Sequence, residues 1–192
     1  MTKRLVIAAV GDSISAGSPL WDPDPAVRET IASPDERSQW QWWASTRDPR
    51  LEFRTRAVYG KRTDEIAGFL DDVVAGADVL VVQGGINDVA QRRPVADAAN
   101  DLAGMVARGH DLGLQVVLAD VLPWPGGDAH AAAEIRRLNE LIDAVTGVVR
   151  LRFHDTLAAL DRPWSDDGAH PSVHGHRLLG EEAARTLSEL EL

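Results

Sequence analysis

Short runs of apolar residues, separated by longer mixed segments, predict five β-strands along the chain. Residues 5–10 form a continuous apolar run, which is typical of a strand that is covered on both faces. Residues 51–57 alternate between apolar and polar side chains, which favours a strand nearer the edge of a sheet. The other runs cover residues 79–83, 115–120 and 148–153. Together they predict a sheet whose central strands are buried.

Apolar residues that recur three and four positions apart predict helices between these strands. The sets are Ile66, Phe69, Leu70 and Val73; Val95, Ala98, Leu102, Met105, Val106 and Leu112; Ile135, Leu138, Leu141, Ile142 and Val145; and Leu179, Ala183, Leu187 and Leu190. Strands that alternate with helices predict a three-layer α/β/α fold with a mainly parallel, five-stranded sheet. Since no interdomain linker interrupts the pattern, residues 1–192 are expected to form one domain.

The segment between the first two strands, residues 14–50, departs from this alternation. A helix is predicted over residues 35–46, and the part before it is expected to be irregular. That irregular part contains several prolines, namely Pro19, Pro23, Pro25 and Pro34. Long irregular loops inside a compact fold often carry function, so this one is a candidate for a functional role.

Polar residues and glycines follow each predicted strand. In open parallel sheets, binding sites form beyond the carboxyl ends of the strands. The segments in that position are residues 11–13, 59–60, 84–88, 123–125 and 166–170. They are therefore expected to lie on one rim of the sheet.

Ser13 lies where the first predicted strand breaks into a turn, which can expose its hydroxyl group and its backbone N–H together. A serine hydroxyl is a weak nucleophile and needs an adjacent base. His170 is the best candidate, because Asp167, three residues earlier, can orient one imidazole nitrogen while the other takes the serine proton. Asp166 is a second candidate for that partner role. Two simpler alternatives stay open: Ser13 as an ordinary turn residue, and Asp167 as a cap for backbone N–H groups.

Asn87 offers a side-chain amide after the third strand. Acyl transfer places negative charge on the former carbonyl oxygen, and donors must already point at that oxygen. The backbone N–H groups of Ser13 and Gly60 and the side chain of Asn87 are the candidate donors of this oxyanion hole. The alternative for Asn87 is a residue that only shapes its turn.

Three motifs in this order resemble the SGNH hydrolases, also called the GDSL esterase/lipase superfamily. Gly11-Asp12-Ser13-Ile14 is similar to the first block of that family, with Ile in place of Leu. Gly85-Ile86-Asn87-Asp88 resembles its Gly-x-Asn-Asp block, and Asp167-Gly168-Ala169-His170-Pro171 resembles its Asp-x-x-His-Pro block. The resemblance extends from residue 5 to about residue 185.

The second block of the family is the one from which this sequence departs. Family members often have an Asn shortly before the glycine of that block and a second glycine after it, whereas residues 57–63 contain Gly60 alone. Gly60 is assigned to the oxyanion hole because no other glycine lies near this strand end. The resemblance implies a flavodoxin-like sheet and hydrolysis of carboxylic esters with no metal and no cofactor. It also implies a substrate among acyl lipids, thioesters, aryl esters and acetylated sugars.

Six tryptophans fall into two groups. Trp40 and Trp43 lie three residues apart on the predicted helix, which favours packing in the core, while Trp42 points elsewhere and can be exposed. The others, Trp21, Trp124 and Trp164, lie on rim loops. They are candidates for the walls of a substrate pocket, with anchoring of the loops as the alternative.

Several charged or titratable residues near these motifs are expected to have supporting roles. Asp12 and Asp88 are predicted to hold their loops by accepting hydrogen bonds from backbone N–H groups. His174 and His176 are expected in the first turn of the last helix, facing solvent or a neighbouring subunit. A zinc site at these histidines is not predicted, because no further set of ligands has matching spacing.

The overall charge narrows the range of partners. Twenty basic residues against thirty acidic ones give a net charge of −10, which disfavours nucleic acid and anionic lipid as partners. The chain has no cysteine, which excludes disulfides, thiol nucleophiles and cysteine-ligated metals. Residues 5–10 are too short an apolar run for a signal peptide, and no run is long enough to span a membrane. A cytoplasmic location is therefore expected; the sequence specifies no oligomeric state.

These features predict a serine hydrolase that cleaves esters of small acyl groups, such as acetyl or aryl esters and acetylated carbohydrate. The short chain, the absence of a recognisable lid and the tryptophans favour small acyl groups. A lysophospholipase or acyl-thioesterase is the alternative among enzymes. A noncatalytic domain that binds a small molecule at the same rim is the alternative outside them.

Overall fold

Five parallel strands form the sheet in the computed structural model, which describes residues 4–158, 160 and 163–190. The strands are β1 (Leu5–Gly11), β2 (Leu51–Ala57), β3 (Val79–Val82), β4 (Gln115–Ala119) and β5 (Val149–Leu151). Their spatial order is β2-β1-β3-β4-β5, and every pairing is parallel. This order is that of flavodoxin-like sheets, so the predicted fold class is confirmed.

Helices cover the sheet and connect its strands. They are α1 (Ser13–Ala16), α2 (Pro25–Arg28), α3 (Trp40–Arg47), α4 (Thr63–Ala67), α5 (Ile86–Ala90), α6 (Val95–Asp111), α7 (Ala129–Asp143), α8 (Phe153–Ala158) and α9 (Val173–Ser188). Short 3₁₀ helices occupy Glu36–Ser38 and Leu70–Asp72. Within the described residues, no helix is both long enough and apolar enough to cross a lipid bilayer.

Alternate residues of β1 point into two separate hydrophobic cores. Ala8 and Val10 pack into one core, which also contains buried residues of α6 and α7. Ile7 and Ala9 pack into the other, with residues of α3, α8 and α9. Because side chains alternate across a strand, one short apolar run supplies both faces of the sheet, and the result is three layers.

Two predicted helices are interrupted. The stripe that begins at Ile66 is divided between α4 and the 3₁₀ helix Leu70–Asp72, although Ile66 and Leu70 are both buried as an amphipathic helix requires. The helix predicted over residues 35–46 is likewise divided, because Gln39 adopts an extended conformation between Glu36–Ser38 and α3. In neither case did the spacing of apolar residues indicate the break in the backbone.

The tryptophans of α3 differ in burial. Trp40 is fully buried and makes edge contacts with Phe53 and Phe153. Trp43 is only half-buried; its indole N–H donates to the carbonyl oxygen of Arg37, and its ring packs edge-on against Trp42, which is also half-buried. The prediction of a core position is therefore confirmed for Trp40 and wrong for Trp43.

Candidate active site

Ser13 is the first residue of α1, directly after the end of β1. Asp12 caps this helix, since its Oδ1 accepts the backbone N–H of Ile14 at 3.0 Å. Gly11 is required by close packing: a Cβ atom there would lie 2.6 Å from Oε1 of Gln83 and 2.7 Å from Oγ of Ser15. The strand thus turns sharply into the helix, and Ser13 is held at the turn.

Residues distant in sequence fix the turn from behind. Oε1 of Gln83, just after β3, accepts the Ser15 hydroxyl at 2.8 Å and the backbone N–H of Asp12 at 3.3 Å. The indole N–H of Trp40 donates to Oγ of Ser15 at 3.1 Å, and Gln41 Nε2 donates to the Ser15 carbonyl oxygen at 2.8 Å. These contacts tie the Ser13 turn to β3 and α3. No motif or spacing in the sequence singles out Gln83, Ser15 or Gln41.

His170 lies on the loop before α9 and is held by a carboxylate three residues earlier. Oδ2 of Asp167 lies 2.6 Å from Nδ1 of His170. Oδ1 of Asp167 accepts the backbone N–H groups of Ala169 and His170, both at 2.9 Å. Partial burial raises the pKa of Asp167, but these hydrogen bonds outweigh it and hold the pKa below its ordinary value. Asp167 is therefore ionised at neutral pH and holds the imidazole at Nδ1. Among the described residues, Asp166 forms no hydrogen bond with His170, although both carboxylates are exposed.

The residues that carry the candidate oxyanion donors, Ser13, Gly60 and Asn87, line one cavity. Across the described residues, the backbone N–H groups of Ser13 and Gly60 donate to no other protein group. Asn87, in α5, donates one Nδ2 hydrogen to the carbonyl oxygen of Lys61 at 3.0 Å, which leaves its second hydrogen free. Gly60 has φ +73°, a conformation that disfavours residues with a Cβ atom.

Asp88 joins the loop of Gly60 to the helix of Asn87. Its carboxylate is fully buried and accepts the backbone N–H and the hydroxyl of Thr63, each at 3.0 Å. Arg93 forms ion pairs at 2.7 Å with Asp88 and with Asp101. The segments of Gly60 and Asn87, which carry two of the candidate oxyanion donors, are thus fixed to each other by a paired charge network.

A cavity of about 430 Å³ opens at this rim, and we call it the rim cavity. Ser13, Gly60, Asn87 and His170 line one side of it, which we call the motif side. Most of the remaining lining comes from residues 17–35, the wall segment, which contributes Ser18, Pro19, Trp21, Asp22, Val27 and Ile31. No hydrogen bond joins Ser13 to His170 in the described part of the chain. Catalytic hydrogen bonds are often long without substrate and tighten when it binds.

Buried groups beside this cavity have displaced pKa values. Burial raises the pKa of Asp12 to about 6, against the lowering effects of the Ile14 N–H, Gln83 and nearby His170. Burial lowers the pKa of His176 to about 3, and the charge of His170 acts in the same direction. His176 is therefore neutral at pH 7, while Asp12 titrates close to it.

The sequence pattern of the GDSL-like lipase/acylhydrolase family matches residues 9–178. The chain belongs to this family. Comparison with curated protein sequences gave no match.

Solved structures of other GDSL proteins and esterases share the fold. A member of the lipolytic protein G-D-S-L family from Veillonella parvula has a TM-score of 0.79 at 16% identity, covering 97% of this chain and 100% of that one. An acetylxylan esterase from Geobacillus stearothermophilus has a TM-score of 0.76 at 15% identity, with coverage of 97% and 95%. The psychrotrophic esterase EstA from Pseudoalteromonas sp. has a TM-score of 0.69 at 15% identity, with coverage of 96% and 97%. At these identities the likeness establishes the fold of this GDSL-family chain.

The three rim tryptophans have different surroundings in this family member. Trp21 lines the rim cavity and carries Arg28 over its ring, with Cζ 4.5 Å from the centroid. Trp124 packs against the core beside α6 and α7, and Trp164 packs against the opposite core and pairs with Pro171. Trp124 and Trp164 are not among the residues that line the rim cavity, so they fit the alternative of loop anchoring.

The histidines of α9 separate into one exposed and one buried residue. His174 is exposed, as expected, but the expectation that His176 faces solvent or another subunit is wrong, because this residue is fully buried. His176 precedes Leu179 and Ala183 by three and seven positions, which places it on the apolar stripe of the helix. That spacing was the signal available in the sequence. The described residues contain no group of three or more metal-ligating side chains that could hold an ion.

Proposed function

We propose that this GDSL-family chain is a serine hydrolase that cleaves carboxylic esters of small acyl groups through an acyl-enzyme. One observation supports it above all: Ser13, Gly60, Asn87 and His170 line one cavity, and Asp167 holds His170 by Nδ1. Because Nδ1 is held by Asp167, Nε2 is the nitrogen that is left to act as the base for Ser13.

In the acylation step, Oγ of Ser13 attacks the ester carbonyl carbon as Nε2 of His170 takes its proton. The oxyanion accepts hydrogen bonds from the N–H groups of Ser13 and Gly60 and from the free Nδ2 hydrogen of Asn87. The bond to the leaving alcohol breaks as the imidazolium of His170 protonates that oxygen. Asp167 stabilises the imidazolium and keeps its orientation.

Deacylation uses the same groups. His170 takes a proton from water, which attacks the acyl carbon of the Ser13 ester. The oxyanion forms again in the same hole, and its collapse releases the acid and returns the proton to Oγ of Ser13.

The size of the rim cavity supports a small acyl group. Its volume of about 430 Å³ is near the lower end of ligand pockets in general. Pro19, Trp21, Val27 and Ile31 supply apolar contacts for a compact acyl or aryl group. Acetyl and aryl esters are therefore the first substrates to test.

Labelling with a fluorophosphonate tests the proposal. A phosphonyl adduct on Ser13, found by mass spectrometry of the intact and digested protein, is the expected result. Folded protein that takes up no adduct would instead favour a noncatalytic binding domain. The Ser188→Ala variant, altered at an exposed serine of α9 that does not line the rim cavity, should label like the parent chain.

A further inference from the structure

A second cavity, of about 480 Å³, adjoins the rim cavity and shares Asp22, Val27 and Tyr59 with it. We call it the adjoining cavity. Its other lining residues are Pro23 and Asp24 in the wall segment and residues 55–58 at the end of β2. Since neither Ser13 nor His170 lines it, this cavity can contact only a part of the ligand that is remote from the reacting carbonyl.

Asp22 lies on the boundary between the two cavities and is 5% exposed. Its Oδ1 accepts the backbone N–H of Asp24 at 2.8 Å. Arg28 donates to the backbone carbonyl oxygen of Asp22 at 2.8 Å, and no cation within the described ranges forms an ion pair with the Asp22 carboxylate. A buried carboxylate is costly unless hydrogen-bond donors satisfy it, so a ligand that supplies hydroxyl groups here is favoured.

Charges around the adjoining cavity favour an uncharged ligand. Asp22 and Asp24 repel an anion, while Arg56 lines the same cavity and Arg28 covers the ring of Trp21. Arg56 is paired with Asp72, whereas the charge of Arg28 acts on the Asp22 carboxylate and would repel a cationic ligand there. An alkyl chain would cover the Asp22 carboxylate and supply no donor, which is unfavourable for a long acyl substrate.

Apolar contacts are available on the same boundary. Tyr59 is 60% exposed and, with Val27, lines both cavities. Aromatic rings next to carboxylates can pack against the carbon skeleton of a ring-shaped ligand while its hydroxyls donate hydrogen bonds. The combination fits a neutral polyhydroxylated group.

We propose that the adjoining cavity is a subsite for the alcohol part of the substrate, and that this part is an uncharged polyol or sugar. Asp22 accepts hydrogen bonds from its hydroxyls, and Tyr59 packs against its carbon atoms. This inference rests on the proposed ester hydrolysis and adds a substrate class to it.

Paired acetyl esters test the subsite by pH-stat. The probes are 6-O-acetylglucose and cyclohexylmethyl acetate, which present a similar ring with and without hydroxyls, and acetylcholine, which carries a cation. We expect kcat/KM for 6-O-acetylglucose to exceed both others by at least about tenfold, since hydrogen bonds to charged groups have about that effect. Equal or faster hydrolysis of either of the other two esters would overturn the proposal.

The esters also differ in intrinsic reactivity. This difference cancels when the ratio of their kcat/KM values is compared between the parent chain and variants of Asp22. Asp22→Ala should lower the ratio of kcat/KM for 6-O-acetylglucose to that for cyclohexylmethyl acetate by about tenfold. Asp22→Asn keeps an acceptor for Asp24 and should lower the ratio by a smaller factor, about threefold; it decides the question if the alanine variant does not fold. The matched control is Asp97→Ala, at an exposed position on α6, which should leave the ratio unchanged.

The proposed function and the subsite fail in different ways. If the chain hydrolyses none of these esters and not p-nitrophenyl acetate either, ester hydrolysis itself is wrong, and the subsite falls with it. If the esters are hydrolysed but the Asp22 variants leave the ratio unchanged, only the subsite is wrong.

Discussion

The motif side of the rim cavity takes four residues from four separate segments of the chain, whereas the wall segment supplies six from one continuous stretch. Polar contacts with other segments or with neighbouring residues hold all four motif residues. The contacts are those of Ser13 with Asp12, Gly60 with Gln91, Asn87 with Lys61 and His170 with Asp167. The wall segment is held mainly to itself, as in the hydrogen bond from the N–H of Asp35 to the carbonyl oxygen of Leu20 at 2.8 Å.

From this difference we expect the motif side to determine the rate of the reaction and the wall segment to determine which ester is preferred. Groups that perform chemistry must be held within a fraction of an ångström, which rigid elements of the sheet provide. A wall built from one loop can change in shape without disturbing those groups. Substitutions on the motif side should therefore slow all esters alike, while substitutions in the wall segment should change which ester is preferred.

The largest effect is expected at Ser13. Ser13→Ala removes the nucleophile and should lower kcat by about 10³- to 10⁶-fold for every ester, because no acyl-enzyme can form. Hydrolysis of p-nitrophenyl acetate and of an alkyl acetate measures it. A variant that kept the parent rate on either ester would disprove the assignment, and Ser188→Ala provides the matched control.

Asn87→Ala should have the next largest effect. Loss of one oxyanion donor should lower kcat by about 10²- to 10³-fold, since the donor acts mainly on charge that develops in the transition state. Steady-state kinetics should accordingly show a much smaller change in KM. Asn100→Ala, at an exposed position on α6, is the control. An equal decrease in kcat for a preferred and a poor ester would support a role of Asn87 in the reaction itself. A decrease confined to one ester would contradict that role.

His176 is fully buried on α9, and the charge of His170 and the backbone of Ser18 both act on its pKa. Its pKa is about 3 in the folded protein and 6.5 for an ordinary histidine, so the unfolded chain takes up the proton first as the pH falls. Stability is therefore lost below about pH 6.5, by about 2 kcal/mol between pH 7 and pH 5 from this residue.

Denaturant unfolding at pH 7 and pH 5 checks this. His176→Leu should reduce the loss of unfolding free energy between the two pH values by about 2 kcal/mol relative to the parent chain. The raised pKa values of Asp12 and Asp120 act in the opposite sense but are present in both proteins. His174→Leu, at the exposed neighbour, should behave like the parent. Parallel behaviour of His176→Leu and the parent would contradict the buried, neutral state of this ring.

The contrast between the motif side and the wall segment also explains how much of the fold and of the candidate site could be predicted from the sequence. Apolar runs identified all five strands, and the spacing of Asp167 and His170 indicated a local carboxylate–imidazole pair. Gln83, Ser15 and Gln41 could not be predicted, because their contacts with the Ser13 turn join elements 26 to 71 residues apart. For the wall segment, the sequence offers only its length and its prolines as indications of an irregular loop. Its backbone path could not be predicted, because it depends on contacts such as that of Asp35 with Leu20 and not on a periodic spacing of apolar residues.

The smallest effect is expected in the wall segment, at Trp21. Trp21→Ala removes an aromatic surface of the rim cavity and leaves the motif side in place, so it should raise KM for phenyl acetate by about tenfold with a smaller change in kcat. Ethyl acetate, which has no aryl group, should be affected less. Trp42→Ala removes a half-buried indole that does not line the rim cavity and is the control. If Trp21→Ala lowered kcat equally for phenyl and ethyl acetate, the wall segment would be part of the catalytic machinery, and the separation between the two sides would be wrong.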